Sequence, residues 1–148
     1  MIDDGGEWWF KEFMKATLIA LFFALLLVGC GSPNVDDPET LDKIIAEAVD
    51  EDKLQMRGKK GEELLYSPNE QMPFTGWVKS IWENGQVKYL IQYKGGEPEG
   101  LTIEWYDNGQ MKYKTNHKDR KPNGLTTFWD ENGKKKSELN YKDGVLVD

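Results

Sequence analysis

The chain has 148 residues, of which 30% are charged, and its formal net charge at pH 7 is -7. The acids are concentrated between residues 36 and 54, whereas residues 74–148 are nearly neutral, so no basic surface is predicted that could neutralise the phosphates of a nucleic acid. A single cysteine excludes an internal disulfide, and with one histidine the chain lacks the side chains for a histidine–cysteine metal site; no metal and no cofactor is predicted.

An almost unbroken apolar run, residues 16–28, stands near the start of the chain. It is short for a membrane-spanning helix, which needs roughly 20 residues, but it fits the apolar core of a signal peptide. Residues 27–30, Leu-Val-Gly-Cys, resemble a bacterial lipobox, in which the signal is cut before the cysteine and the thiol is lipidated. We therefore predict a lipoprotein signal peptide at residues 14–29 and lipidation of Cys30; an uncleaved signal anchor is the alternative.

The first thirteen residues fit a signal peptide poorly. They carry four acids and one lysine, whereas a signal peptide begins with a basic segment. A start at Met14 gives a compact signal, so residues 1–13 are predicted to be a spurious N-terminal extension. Gly31 stands where an aspartate would resemble an inner-membrane retention signal. We expect a membrane-anchored lipoprotein of the bacterial envelope, in the outer membrane if the cell has two membranes.

Residues 30–37 are expected to form a flexible tether, and residues 38–53 an amphipathic helix. Asp37 is a favourable N-cap, and Pro38 suits the first helical position. The apolar residues that follow recur at helical spacing: Leu41, Ile44, Ile45, Ala48 and Val49. Residues 54–75 combine one short apolar strand with turn residues, and we interpret them as an irregular half-repeat that caps the repeats after it.

A 24-residue period governs the rest of the chain, residues 76–148. Gly76, Gly100 and Gly124 are each followed eight residues later by an Asn-Gly pair. These pairs are predicted to form structural turns: Asn84-Gly85, Asn108-Gly109 and Asn132-Gly133. A fixed period of this size indicates a repeat array, here of three hairpin repeats.

Side-chain alternation selects the loop of each hairpin. A three-residue loop, residues 83–85, pairs Ile81 with Val87 and Lys79 with Tyr89, and its glycine must adopt the left-handed conformation of a type I turn with a bulge. In this register the large apolar residues of the first repeat share one face: Trp77, Ile81, Val87, Tyr89, Ile91 and Tyr93. The opposite face is mostly polar.

The predicted fold is therefore mainly β, an elongated antiparallel meander of β-hairpin repeats preceded by one amphipathic helix. The apolar face of such an open sheet needs a cover. Folding back of the helix, curling of the sheet, and a partner or second copy are all compatible with the sequence, so the oligomeric state is left open.

The repeat unit at residues 100–112, Gly-x-x-x-x-Trp-Tyr-x-Asn-Gly-Gln-x-Lys, resembles the variant MORN repeat, as does Tyr-Lys-Asp-Gly at residues 141–144. With the lead-in Pro-Phe-Thr-Gly at residues 73–76, the chain is similar to the YwqK-type antitoxin family, many members of which resemble secreted or lipid-anchored proteins. The resemblance implies a β-hairpin array used for protein or membrane contact, and it implies no reaction.

Catalysis is not predicted. The sole histidine, His117, occupies a repeat position that Tyr93 and Tyr141 fill elsewhere, which indicates a packing role. Trp82 and Tyr106 are expected to point away from the apolar face near the turns, where aromatic side chains serve as contact residues. We predict that these two residues bind a partner; capping of the neighbouring hairpin is the alternative.

The function that follows is a non-catalytic, lipid-anchored cell-envelope protein that presents its repeat surface to an unidentified protein partner or to a membrane. Two alternatives stay open. Aromatic hairpin repeats can stack on sugar rings, so the chain is also compatible with a cell-wall glycan-binding module. An antitoxin or immunity-type protein that neutralises a toxin partner is the other alternative, and it rests on the family resemblance alone.

Overall fold

The computed structural model describes residues 33–147. The predicted N-terminal extension, the signal peptide and Cys30 lie outside these residues. The chain divides after Asp37 into two units. In the first unit the described part is a turn, in which the N–H of Asp37 donates to the carbonyl oxygen of Asn34 at 3.2 Å. The second unit contains every helix and strand among the described residues.

Helix α1 (Pro38–Glu47) begins at the predicted proline and packs against the first long strand of the sheet, β4 (Gly76–Ile81). Ile44 is the buried residue of the helix. The ammonium group of Lys79 donates a hydrogen bond to the carbonyl oxygen of Ile45, 2.8 Å away. The helix therefore folds back onto the sheet.

The prediction that this helix continues to residue 53 is wrong. Strand β1 (Val49–Asp50) follows it at once and pairs in parallel with β4, and a 3-10 helix, η1, occupies Glu51–Lys53. Pairing with a sheet edge satisfies the backbone groups that another helical turn would have satisfied. In addition, the three acids at residues 50–52 would oppose the dipole at the end of a longer helix.

Two short strands, β2 (Gln55–Arg57) and β3 (Leu64–Tyr66), pair antiparallel in a small sheet of their own. The guanidinium group of Arg57 holds the turn after β3, because it donates to the carbonyl oxygens of Ser67 and Glu70 at 3.2 and 2.7 Å. This small sheet and its turn account for most of the segment between α1 and β4.

Nine strands form the main sheet. After β1 and β4 they are β5 (Val87–Lys94), β6 (Glu97–Trp105), β7 (Met111–Lys118), β8 (Lys121–Pro122), β9 (Gly124–Trp129), β10 (Lys135–Lys142) and β11 (Val145–Val147). The order is β1-β4-β5-β6-β7-β9-β10-β11, with β8 paired to β7, and every pairing other than that of β1 is antiparallel. The predicted fold class, a mainly β meander of hairpin repeats with one preceding helix, is confirmed.

Each repeat turns through a three-residue loop, as predicted. In the first repeat the N–H of Trp82 donates to the carbonyl oxygen of Gln86 at 2.7 Å, and the N–H of Gly85 donates to that of Trp82 at 2.9 Å. Gly85 has a φ of 86°, in the left-handed region that a side chain disfavours. The same pair of bonds recurs in the second and third repeats.

Besides the bulge predicted at the glycine of each loop, a second bulge follows in the ladder, and the sequence did not reveal it. The first pair beyond the loop is as predicted, but Ser80 rather than Lys79 pairs with Tyr89, which leaves Lys88 without a partner in the ladder. The equivalent lysines of the later repeats occupy the same bulge: Lys112 and Lys136. The predicted register beyond the bulge is therefore wrong by one residue.

Because a shift of one residue moves side chains to the other face, the prediction of a single apolar face is also wrong. Leu90 and Ile103, each 0% exposed, lie on the face of Trp77, whereas Val78, 1% exposed, lies on the face of Ile91. Each face of the sheet has its own apolar core.

The small sheet is tied to the main sheet at the loop between β5 and β6. The N–H of Leu65 donates to the carbonyl oxygen of Gly96 at 3.0 Å, and the N–H of Gly96 donates to that of Phe74 at 2.8 Å. A Cβ atom on Gly96 would lie 2.8 Å from the Cβ of Leu64, so this contact requires glycine.

Candidate interaction surface

The hairpin loops stack on one another through side-chain hydrogen bonds. Nδ2 of Asn84 donates to the carbonyl oxygen of Asp107 at 2.6 Å, and one repeat later Nδ2 of Asn108 donates to that of Glu131 at 2.7 Å. The Oδ1 atoms of both asparagines accept the backbone N–H two residues further on, at 3.0 and 2.9 Å. Each asparagine therefore fixes its own loop and binds it to the next.

Trp82 and Tyr106, the predicted partner-binding residues, make equivalent contacts in successive repeats. Nε1 of Trp82 donates to the carbonyl oxygen of Trp105 at 3.3 Å, and the hydroxyl of Tyr106 donates to that of Trp129 at 3.0 Å. The ammonium group of Lys88 lies 4.7 Å from the centroid of the Trp82 ring, which allows a cation–π interaction. Both aromatic residues are half-buried. These contacts are the ones expected if the two aromatic residues cap the neighbouring hairpin. Binding of a partner by the remaining ring surface stays a prediction.

The third repeat ends this pattern. Asp130 stands where the first two repeats have an aromatic residue, and its Oδ1 accepts the backbone N–H groups of Asn132 and Lys134, both at 3.0 Å. Among the described residues, the side chain of Asn132 makes no hydrogen bond of the kind that Asn84 and Asn108 make. The loop of the third repeat is thus held by its own aspartate.

A cleft of about 450 Å³ crosses the sheet from the second repeat to the third. A row of paired side chains on β6, β7, β9 and β10 lines it: Glu104, Tyr113, Phe128 and Ser137. The ring centroids of Tyr113 and Phe128 are 6.1 Å apart, and the ring planes are inclined by 33°. The volume of the cleft lies within the range of small-ligand sites, roughly 300–1,000 Å³.

The cleft exists because the third repeat has a small residue at one position. Ser137 stands where the earlier repeats have Tyr89 and Tyr113, so the ring that would lie beside Phe128 is missing. We did not predict the cleft from the sequence, although a serine in an aligned column of tyrosines is a visible indication of missing volume.

Three charged side chains line the cleft. The ammonium group of Lys112 donates to Oε1 of Glu104 at 2.7 Å, and this hydrogen bond raises the pKa of Lys112. Burial, with a smaller effect from the Glu104 carboxylate, raises the pKa of Tyr113, so the phenol is neutral at neutral pH. Lys136 has no ion-pair partner among the described residues and leaves the cleft with one uncompensated positive charge.

Comparison with protein families accounts for the repeats. The family described as MORN repeat variant matches residues 75–94, 98–119 and 122–143. The chain carries three MORN repeats of the variant type. The three matches follow the three hairpins, each with its loop. Comparison with curated proteins and with solved structures gave no significant match.

In the second MORN repeat, His117 is half-buried in the sheet. Its Nδ1 lies 3.1 Å from Oγ1 of Thr102, within hydrogen-bond distance, and burial lowers the pKa of the imidazole. His117 pairs across the sheet with Gly100. These contacts are those of a side chain that packs within the MORN array.

Beside the first MORN repeat, a second cleft of about 540 Å³ is lined by the acids of residues 50–52 together with Lys79 and Ser80. Among the described residues, no three or more His, Cys, Asp or Glu side chains are placed so that together they could hold a metal ion. Between residues 33 and 147 no helix has the length and apolar content that crossing a bilayer requires. Cys30, the predicted lipidation residue, lies outside that range.

Proposed function

We propose that this chain is a lipid-anchored protein of the bacterial envelope whose MORN repeats bind a partner protein. MORN repeats are generally protein or membrane interaction modules, and they are generally non-catalytic. The anchor in this proposal is Cys30, after the signal-peptide pattern of residues 14–29, and the outer membrane is favoured in a cell with two membranes.

The observation that supports partner binding is the asymmetry between the two ends of the array. The first MORN repeat is flanked by α1 and β1, both of which contact β4. At the other end, Leu125 of the third repeat is 53% exposed, and Val145 and Leu146 of β11 are 65% and 54% exposed, whereas the first repeat exposes one large apolar side chain, Ile81, at 47%. The strand pairing places Leu146 on the same face as the cleft beside Phe128, and Leu125 and Val145 on the opposite face. Both faces of the sheet at this end therefore expose apolar side chains of the kind that partner proteins bury.

Metabolic labelling tests the anchor. Cells that express the full chain or the variant Cys30→Ala are grown with a clickable fatty acid, and the purified proteins are compared. We expect label on the wild-type protein and none on the variant. Absence of label from both proteins contradicts the anchor and favours the antitoxin alternative inside the cell.

Sedimentation with purified peptidoglycan separates protein binding from the glycan-binding alternative. We expect the detergent-solubilised full chain to remain in the supernatant. Co-sedimentation that Tyr106→Ala or Phe128→Ala weakens would contradict the choice of a protein partner, because both side chains line the cleft in which a sugar ring would stack.

A further inference from the structure

The second and third MORN repeats differ in the groups that surround one recurring lysine. In the second repeat, the ammonium group of Lys112 donates to Oε1 of Glu104 at 2.7 Å and lies 5.9 Å from the centroid of the Tyr106 ring. Tyr113 follows this lysine in the chain and pairs across the sheet with Glu104. The second repeat therefore supplies its lysine with a carboxylate and two aromatic rings from its own chain.

The third repeat keeps the lysine but lacks these groups. One 24-residue period later, Phe128 occupies the position of the carboxylate, and Ser137 occupies the position of the second ring. Asp130 occupies the position of the first ring, and its Oδ1 accepts two backbone N–H groups of its own loop. Among the described residues, Lys136 makes no ion pair and no cation–π contact. This lysine thus lacks both a carboxylate and a ring.

The position of the missing ring lies in the cleft. Ser137 pairs directly with Phe128, so a ring above Ser137 would lie beside the Phe128 ring, on the side opposite to Tyr113. Paired residues of neighbouring antiparallel strands have Cβ atoms about 4.5–5.5 Å apart, and aromatic rings attract one another at centroid distances of about 4.5–7 Å. The rings of Tyr113 and Phe128, 6.1 Å apart, already have this spacing. A planar side chain supplied from outside would extend the row by one ring.

The charges that line the cleft favour a carboxylate next to that ring. Glu104 and Lys112 neutralise each other, and Lys136 remains as a positive charge. Lys136 and Ser137 are adjacent in the chain and both line the cleft, so a carboxylate that pairs with this lysine would lie close to a ring above the serine. Because an exposed ion pair contributes little free energy, the ring should supply most of the affinity.

We propose that the cleft beside Phe128 binds an aromatic side chain of a partner protein that is flanked by an acidic residue, with the ring above Ser137 and the carboxylate paired with Lys136. This proposal rests on the proposed function, since it names the chemistry of the partner at the third repeat. The two groups that the partner supplies are those that the second repeat supplies from its own chain as Tyr113 and Glu104.

The test measures the binding of three short peptides to the full chain in lipid nanodiscs, with empty nanodiscs as the background. The peptides are acetylated and amidated, so that their ends carry no charge, and binding is measured by saturation-transfer difference NMR. The first peptide, Gly-Glu-Tyr-Glu-Gly, has both groups. The second, Gly-Gln-Tyr-Gln-Gly, lacks the carboxylates, and the third, Gly-Glu-Ala-Glu-Gly, lacks the ring.

Three variants of the protein are compared with the wild type. Ser137→Tyr fills the cleft with the residue of the other two repeats, so this variant should fold. Lys136→Gln removes the positive charge. Lys88→Gln is its matched control, because Lys88 occupies the equivalent bulge of the first repeat, 4.7 Å from the centroid of the Trp82 ring.

We expect the wild type to bind the first peptide. The second peptide should bind about two- to fivefold more weakly, because it lacks one exposed ion pair. The third peptide should bind at least about tenfold more weakly, because it lacks the ring, and Ser137→Tyr should weaken the binding of the first peptide by a similar factor. In Lys136→Gln the preference for glutamate over glutamine should disappear, whereas Lys88→Gln should retain it.

Three results overturn the proposal while leaving partner binding elsewhere on the repeats intact: no saturation transfer to the first peptide, equal binding of the first and second peptides to the wild type, or unchanged binding in Ser137→Tyr. Displacement of the first peptide by an oligomer of N-acetylglucosamine overturns it in favour of a glycan. A wild-type dimer that Ser137→Tyr dissociates, measured by analytical ultracentrifugation in a mild detergent, overturns it in favour of a second copy.

Discussion

Nδ2 of Asn84 donates a hydrogen bond to the carbonyl oxygen of Asp107, 2.6 Å away and 23 residues further along the chain. The equivalent bond joins Asn108 to Glu131 one repeat later. The asparagine of the Asn-Gly pair thus has two roles, since it shapes its own loop and also joins that loop to the next. This second role explains how successive hairpins keep a common register at the ends of their strands.

Removal of one such bond should destabilise the array. Asn108→Ala loses the bond to Glu131 and the bond from the N–H of Gln110, and we expect it to lower the free energy of unfolding by about 1–2 kcal/mol. Asn132→Ala is the matched control, because the asparagine of the third loop lacks these contacts among the described residues. Urea denaturation provides the measurement, and an equal loss in both variants would show that the bonds between loops contribute nothing.

Two buried threonines form a coupled pair. The hydroxyl oxygens of Thr115 and Thr126 lie 2.6 Å apart, and the residues are 3% and 4% exposed. Thr126→Val should cost about 1–2 kcal/mol because it leaves the Thr115 hydroxyl poorly paired, whereas the double valine variant should lie within about 1 kcal/mol of the wild type. A double-mutant cycle measures this coupling, and strictly additive losses would contradict it.

Stability should fall as the pH is lowered from about 6.5, the usual pKa of a histidine. Burial lowers the pKa of His117 in the folded state, so the unfolded chain binds the proton more readily, and stability is lost between the unfolded and the folded pKa. The slope is at most about 1.4 kcal/mol per pH unit for one proton. Since the chain has one histidine, His117→Tyr should abolish this dependence above pH ~5.5, where the carboxylates have not begun to titrate. An unchanged slope in that variant would rule out His117 as its source.

Arg120 should hold the small sheet of β2 and β3 in its folded position. Its guanidinium donates to the carbonyl oxygens of Gly61 and Glu63 at 3.3 and 3.0 Å, and it lies 2.8 Å from the carboxylate of Glu97. We expect Arg120→Ala to accelerate amide hydrogen exchange in β3 by about tenfold while exchange in β6 and β7 stays unchanged. Arg120→Lys keeps the charge but not the planar fork, and it should behave like the alanine variant. Normal exchange in the alanine variant would show that other contacts hold the small sheet.

The sequence determined the loops and the order of the hairpins more clearly than the register between strands. The Asn-Gly pairs located the turns, because residues that tolerate a left-handed conformation have a strong local preference for them, and side-chain alternation selected the three-residue loop. The bulge at Lys88 was missed, since an extra residue in a ladder has no local signature of that strength. We predicted Val49 to lie in the helix because it continues the helical spacing of apolar residues. Only its pairing with Val78 places it in a strand.

The cleft was missed for a different reason. Ser137 has no unusual property alone, and its effect appears only when it is compared with Tyr89 and Tyr113 and when Phe128 is known to lie beside it. Tyr106 was singled out for its exposure near a turn, and its ring does line the cleft. Its hydroxyl, however, donates a hydrogen bond to the carbonyl oxygen of Trp129 in the next hairpin. That contact depends on how the hairpins stack.

Site-specific photo-crosslinking in intact cells tests most directly whether the third MORN repeat binds a partner protein. A photoreactive amino acid is placed at Lys136, which lines the cleft, or at Lys88, the equivalent bulge of the first repeat. We expect a discrete crosslinked protein from position 136 that disappears when Ser137→Tyr, which fills the cleft, is added, and none from position 88. The same crosslinks from both positions, or none from position 136, would contradict the account.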